Sequence, residues 1–158
     1  NNIIIVNSDS LRAFYIDRIA LTNGIPQTVY DYEDGTVHSG SNQAEISVSD
    51  ERAHGGEKAL KAQCNADWVG LIGYSGLDLS DERFTKISFY IYIVADEGTG
   101  WVTPFYDDLD PSSGKPQSVA TNTWVKVEIE KSAYSGKTIA VNATNLTAFY
   151  IDDIVLDA

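Results

Sequence analysis

Residues 148–156 read Ala148-Phe149-Tyr150-Ile151-Asp152-Asp153-Ile154-Val155-Leu156, and this stretch decides the fold. Aromatic and β-branched residues dominate it and Gly and Pro are absent, which is the composition of a strand. The stretch occurs twice. Residues 4–21, IIVNSDSLRAFYIDRIAL, align without gaps to residues 139–156, IAVNATNLTAFYIDDIVL, with eleven of eighteen positions identical at an offset of 135. That offset is too long for a solenoid repeat and matches a whole small domain. The chain therefore divides into residues 1–24, the closing strands of a preceding sister unit plus a linker, and residues 25–158, one complete unit.

Strand alternation puts Phe149, Ile151 and Asp153 on one face, and Tyr150, Asp152 and Ile154 on the other. Asp152 then lies between hydrophobes. Its counterpart Asp17 is retained, whereas Asp153 is matched by Arg18. A buried carboxylate is costly without a partner. Asp152 is thus either satisfied by backbone donors at a strand end or a ligand for a cation.

The 158 residues leave room for one sizeable core and a tail. A net charge of −12 argues against nucleic acid and anionic membranes, both of which need basic patches. It suits an extracellular or calcium-binding protein. No apolar run reaches the length of a membrane span, so no membrane insertion is expected. The single cysteine, Cys64, excludes an internal disulfide and reads as a small core residue beside Leu60 and Ala62.

Short strand patterns recur along the chain, over 28–34, 44–49, 58–64, 68–74, 87–94, 101–106, 124–130, 138–141 and 148–156. The clearest is 87–94, where Ile87, Phe89, Ile91 and Ile93 alternate with Ser88, Tyr90, Tyr92 and Val94. Turn signals separate the strands, and no long amphipathic helix intervenes. This pattern predicts an all-β, antiparallel β-sandwich.

DYEDGT at 31–36, AHGGEKALKA at 53–62, NTWVKVEI at 122–129 and AFYIDDIVL at 148–156 resemble the jelly-roll carbohydrate-binding modules of secreted bacterial glycoside hydrolases and surface adhesins. The resemblance covers roughly residues 28–158. It implies two antiparallel sheets pinned by a structural calcium ion. Glu33 matches the acidic ligand of the first strand and Asp152 that of the last. Glu51 and the 53–56 turn fall where the backbone carbonyls that complete the shell would come from. Calcium takes six to eight oxygens, and carboxylates with carbonyls fit that need.

The implied function is non-catalytic binding of a polysaccharide or oligosaccharide, which targets attached catalytic or adhesin domains of a larger extracellular protein. Such a site needs exposed aromatic rings for the C–H faces of pyranoses, with polar neighbours for their hydroxyls. Tyr90 and Tyr92 point away from the core; they either form that platform or pack under a loop. Trp101 joins it if Val102 and Pro104 point inward, and Tyr106 joins it if they do not. Trp68 either lines the rim or caps the core, and Trp124 matches a position that is usually structural in such modules. Asp107, Asp108 and Gln117 are candidate hydroxyl readers. His38 and His54 have no partner pattern for a metal or a triad, and no two carboxylates stand out as a hydrolytic pair. The alternative function is a spacer or protein-interaction module without a sugar site.

Overall fold

The computed structural model describes residues 26–74, 77 and 79–158. The reading of residues 1–24 as part of a preceding unit lies outside them. Two antiparallel sheets enclose the core. The first has the order β3 (Ala44–Ser49), β4 (Ala59–Cys64), β11 (Ala148–Asp157), β6 (Lys86–Val94), β9 (Trp124–Glu130), with β1 (Gln27–Tyr30) pairing the end of β11. The second has the order β2 (Gly40–Asn42), β5 (Trp68–Ile72), β10 (Thr138–Asn142), β7 (Thr99–Tyr106), β8 (Gln117–Ala120). The repeated stretch thus supplies β10 and β11, an interior strand of each sheet. This is the antiparallel β-sandwich expected from the strand pattern, and the jelly roll that the resemblance implies.

Phe149 and Ile151 on β11 meet Ile91 and Ile93 on β6, and across the sandwich Val69, Leu71, Val102, Ile139 and Val141 complete the core. All of these side chains are almost fully buried. Burying each large one contributes about 1.5–3 kcal/mol, and the summed effect holds the sheets face to face.

Strict alternation fails at β-bulges in β11 and β7. In β11 the register shifts between Asp152 and Val155, and Asp153 adopts φ 50°. The extra residue reverses the side-chain parity, so Ile151 and Ile154 are both in the core. Alternation had placed Ile154 on the opposite face. In β7, Phe105 adopts φ 46° beside a shift in pairing with β10. Strands β2 and β8 were not foreseen. Gly40-Ser41-Asn42 and Gln117-Ser118-Val119-Ala120 have little strand propensity. They are short edges held by ladders to β5 and β7. Cys64 is only half-buried, and burial pushes its thiol up to about 12.

Candidate functional site

The outer face of the second sheet can be laid out row by row from its registers. Asn142 pairs with Trp68 on β5 and with Trp101 on β7. Directly paired residues share a face. Two tryptophans therefore flank one asparagine, two strand spacings or about 10 Å apart at the backbone. The next row is Asn42, Gly70, Ala140 and Thr103. The last is Gly40, Ile72 and, across the bulge, Thr138 with Tyr106. The middle row is small, so it forms a trough.

Trp68 and Trp101 are 38% and 50% exposed, unusual values for the largest side chains of a folded chain. The Trp68 ring lies toward Gly70, where an added Cβ would meet its Cη2 at 3.5 Å and the Asn42 amide at 3.2–3.3 Å. Asn42 is itself fixed, because its Oδ1 accepts the Gly70 N–H at 2.6 Å.

The trough is a groove of about 510 Å³, walled by Trp68 and Asn42 on one side and by Tyr106, Asp108 and Pro111 on the other. A second hollow of about 470 Å³ shares Ile72, Asp108 and Thr138 with it and continues toward Asp107 and Lys137. Burial, and then the charge of Asp108, hold the Tyr106 hydroxyl above the usual phenol range, so it is a neutral donor at neutral pH. The groove offers flat rings, amides and hydroxyls, which suits a neutral polyhydroxylated chain.

The bulge at Phe105 resolves the choice between Trp101 and Tyr106. Val102 and Phe105 are both in the core, so Trp101 and Tyr106 both end on the outer face. Trp68 lies on the groove wall. Asp107 borders the adjoining hollow, but its Oδ1 accepts the Leu109 N–H at 2.9 Å, so it also holds its own loop. Gln117 pairs with core-facing Val102 and donates through Nε2 to Glu128 O at 2.9 Å. It bridges the two sheets and does not face the groove.

Tyr90 and Tyr92 are elsewhere. They project from β6 on the outer face of the first sheet, away from the core as expected but on the opposite side of the sandwich from the tryptophans. His54 stacks on Tyr90 with centroids 3.4 Å apart and planes at 11°. The Arg52 guanidinium lies 4.4 Å from the Tyr92 centroid, and Trp124 meets Tyr92 edge-on at 5.7 Å. These tyrosines are packed beneath the turn between β3 and β4. Asn142, Asn42, Thr103 and Thr138 were missed. The one available signal was Asn142, a polar residue beside Val141 that the copied stretch retains as Asn7.

The two carboxylates matched to calcium, Glu33 and Asp152, converge on one turn. Glu33 Oε1 accepts the N–H groups of Glu57 and Lys58 at 2.8 and 2.9 Å, and these donors, Lys58 first, hold its carboxyl below the usual range. Asp152 Oδ2 accepts from His54 N at 2.7 Å and Gly55 N at 3.0 Å, while Oδ1 accepts from Asp153 N at 2.8 Å. Its burial nevertheless pushes its carboxyl up. Both residues thus grip the 54–58 turn. Glu51 does not; it bonds Lys61 Nζ at 2.6 and 2.7 Å and Tyr150 Oη at 2.8 Å on the sheet face. Among the described residues no three acidic, His or Cys side chains are grouped as metal ligands. An ion here would take Glu33, Asp152 and main-chain carbonyls, while the Glu51 side chain is engaged by Lys61 and Tyr150.

No family model matches the chain, and no curated protein matches it. Solved structures do. A family 11 carbohydrate-binding module from Clostridium thermocellum, in complex with a β-1,3-1,4-mixed-linked tetrasaccharide, aligns with TM-score 0.56 at 18% identity, over 84% of this chain and 95% of that one. The C-terminal family 22 module of Clostridium thermocellum Xyn10B aligns at 0.53 and 17%, over 88% and 98%. The CBM22-1 xylan-binding domain of Paenibacillus barcinonensis Xyn10C aligns at 0.51 and 18%, over 87% and 97%. The fold is therefore that of the β-sandwich carbohydrate-binding modules. At such identities the likeness extends to the fold and no further.

Proposed function

We propose that this chain is a non-catalytic carbohydrate-binding module, and that it holds one neutral glycan chain in the groove of the second sheet. The observation that carries this reading is the row Trp68–Asn142–Trp101 above the Gly70–Ala140–Thr103 trough. Pyranose C–H faces stack on the two indoles, and Asn42, Asn142 and Tyr106 read the hydroxyls. Among the described residues Asp108 is the acid that lines the trough itself, and Asp107 and Lys137 border only the adjoining hollow. Glycoside hydrolysis by its common route needs two facing carboxylates. The tetrasaccharide complex and the xylan-binding domain among the matched structures support the same reading.

As such a module the chain targets attached domains of a larger extracellular protein to a polysaccharide, and a sister copy raises avidity through effective concentration. A calcium ion held by Glu33, Asp152 and nearby carbonyls would add rigidity to the 54–58 turn and take no part in sugar contact. Affinity electrophoresis through soluble xylan and mixed-linkage β-glucan tests the proposal. Retardation of the wild type that is lost in both Trp68→Ala and Trp101→Ala supports it. An unretarded wild type across neutral glycans makes the chain a spacer.

A further inference from the structure

The first sheet carries its own aromatic row on the side away from the groove. Tyr150 pairs with Tyr92, and Tyr92 with Trp124, so three rings stand abreast on neighbouring strands. Trp124 and Tyr92 are half-exposed. Arg52 reaches this row from the β3–β4 turn and is exposed. Its guanidinium lies 4.4 Å from the Tyr92 centroid and 5.9 Å from that of Tyr150.

Arg52 makes no hydrogen bond or ion pair with the described residues. The chain has 23 acidic and 11 basic residues, yet the one acid whose charge Arg52 is seen to share, its neighbour Glu51, makes its direct bonds elsewhere. The nearby cation Lys61 is neutralised by Glu51, and that carboxylate also takes the Tyr150 hydroxyl. The Arg52 guanidinium is thus laid against a ring with its N–H fork unused by the described residues. Its backbone is held as well, because the turn on either side is anchored by Ser49 Oγ at Glu51 N and by Asp152 at His54 N and Gly55 N. A planar guanidinium supported on an aromatic face is preorganised for a bidentate carboxylate. The half-exposed Trp124 indole beside it offers a stacking surface for a sugar ring.

We propose that Arg52, Tyr92 and Trp124 form a second binding site, on the face opposite the groove, for a sugar that carries a carboxylate, a uronic acid. Arg52 receives the carboxylate and Trp124 packs against the pyranose. The site does not depend on the groove, so one protein can hold a neutral backbone on one face and an acidic sugar on the other.

The test is an NMR titration of the whole chain with sodium glucuronate, with glucose and sodium acetate as controls. The expected result is saturable shifts at the Arg52 Nε–H and the Trp124 indole N–H with glucuronate, and weaker or absent shifts with either control. Arg52→Ala removes them, Arg52→Lys weakens binding at least fivefold because it keeps the charge and loses the fork, and Trp68→Ala leaves them intact. An absent response to glucuronate overturns the proposal, as does a response that survives Arg52→Ala or is unchanged in Arg52→Lys. An equal response to acetate shows bare ion pairing and overturns the sugar site. Loss in Trp68→Ala would assign the signal to the groove and overturn it too.

Discussion

Single positions set the geometry at both ends of the sandwich. Asp152 accepts three backbone N–H groups that have no other acceptor in the turn. An Asn there turns an amide NH₂ toward donors or leaves one side unmet, and each unmet buried donor costs about 1–3 kcal/mol. Asp152→Asn is expected to lose about 3 kcal/mol, a fall of roughly 6–12 °C in melting temperature by calorimetry. Little change would mean the turn is held by something else. Gly56 is the complementary constraint: its φ is 66° and a Cβ would run into the Glu33 carboxylate. The importance of Asp152 was readable from the repeat, which retains it while changing its neighbour. The tryptophan pair was only half readable, since Trp101 and Tyr106 looked like alternatives. One αL residue, Phe105, puts both on the same face, and nothing in Pro104-Phe105-Tyr106 announces that conformation.

The strand that matters most to the site is β10. Its inner residues Ile139 and Val141 anchor the core, its outer residues Thr138 and Ala140 floor the groove, and Asn142 lies one row beyond, between the tryptophans. Ala140→Leu fills the trough without touching the core. It is expected to weaken glycan retardation at least tenfold, or about 1.4 kcal/mol, while the melting temperature stays nearly unchanged. Retained binding would move the ligand off the trough. Periodicity could read β6, β9 and β11 because hydrophobic alternation marks them. It could not read β2 or β8, whose residues are strands only because β5 and β7 offer open edges. Nor could it distribute outward residues between two sheets. Tyr90 and Tyr92 point outward as the pattern requires, yet they belong to the sheet that faces away from the tryptophans.

Over the whole molecule, the acidic surface is managed by exposed pairs. Arg83 holds Asp81 down to about 2, and Lys86 with Lys126 holds Glu128 below its usual range. A lowered carboxyl binds fewer protons folded than unfolded. Its stabilisation is therefore complete above the ordinary carboxyl range and disappears as pH falls through the folded value. The melting temperature is expected to stay level from about pH 5 to 8 and to drop between about pH 4 and 2. A drop already at pH 6 would point to a different group. Chelation by EDTA is expected to lower the melting temperature if calcium completes the Glu33–Asp152 turn, and an unchanged value, with no metal by mass spectrometry, removes the ion from the account. The most direct measurement is affinity electrophoresis of wild type, Trp68→Ala and Tyr92→Ala through soluble xylan and mixed-linkage β-glucan. The account predicts retardation of the wild type and of Tyr92→Ala, and none of Trp68→Ala. Retardation that survives in Trp68→Ala but vanishes in Tyr92→Ala would contradict it.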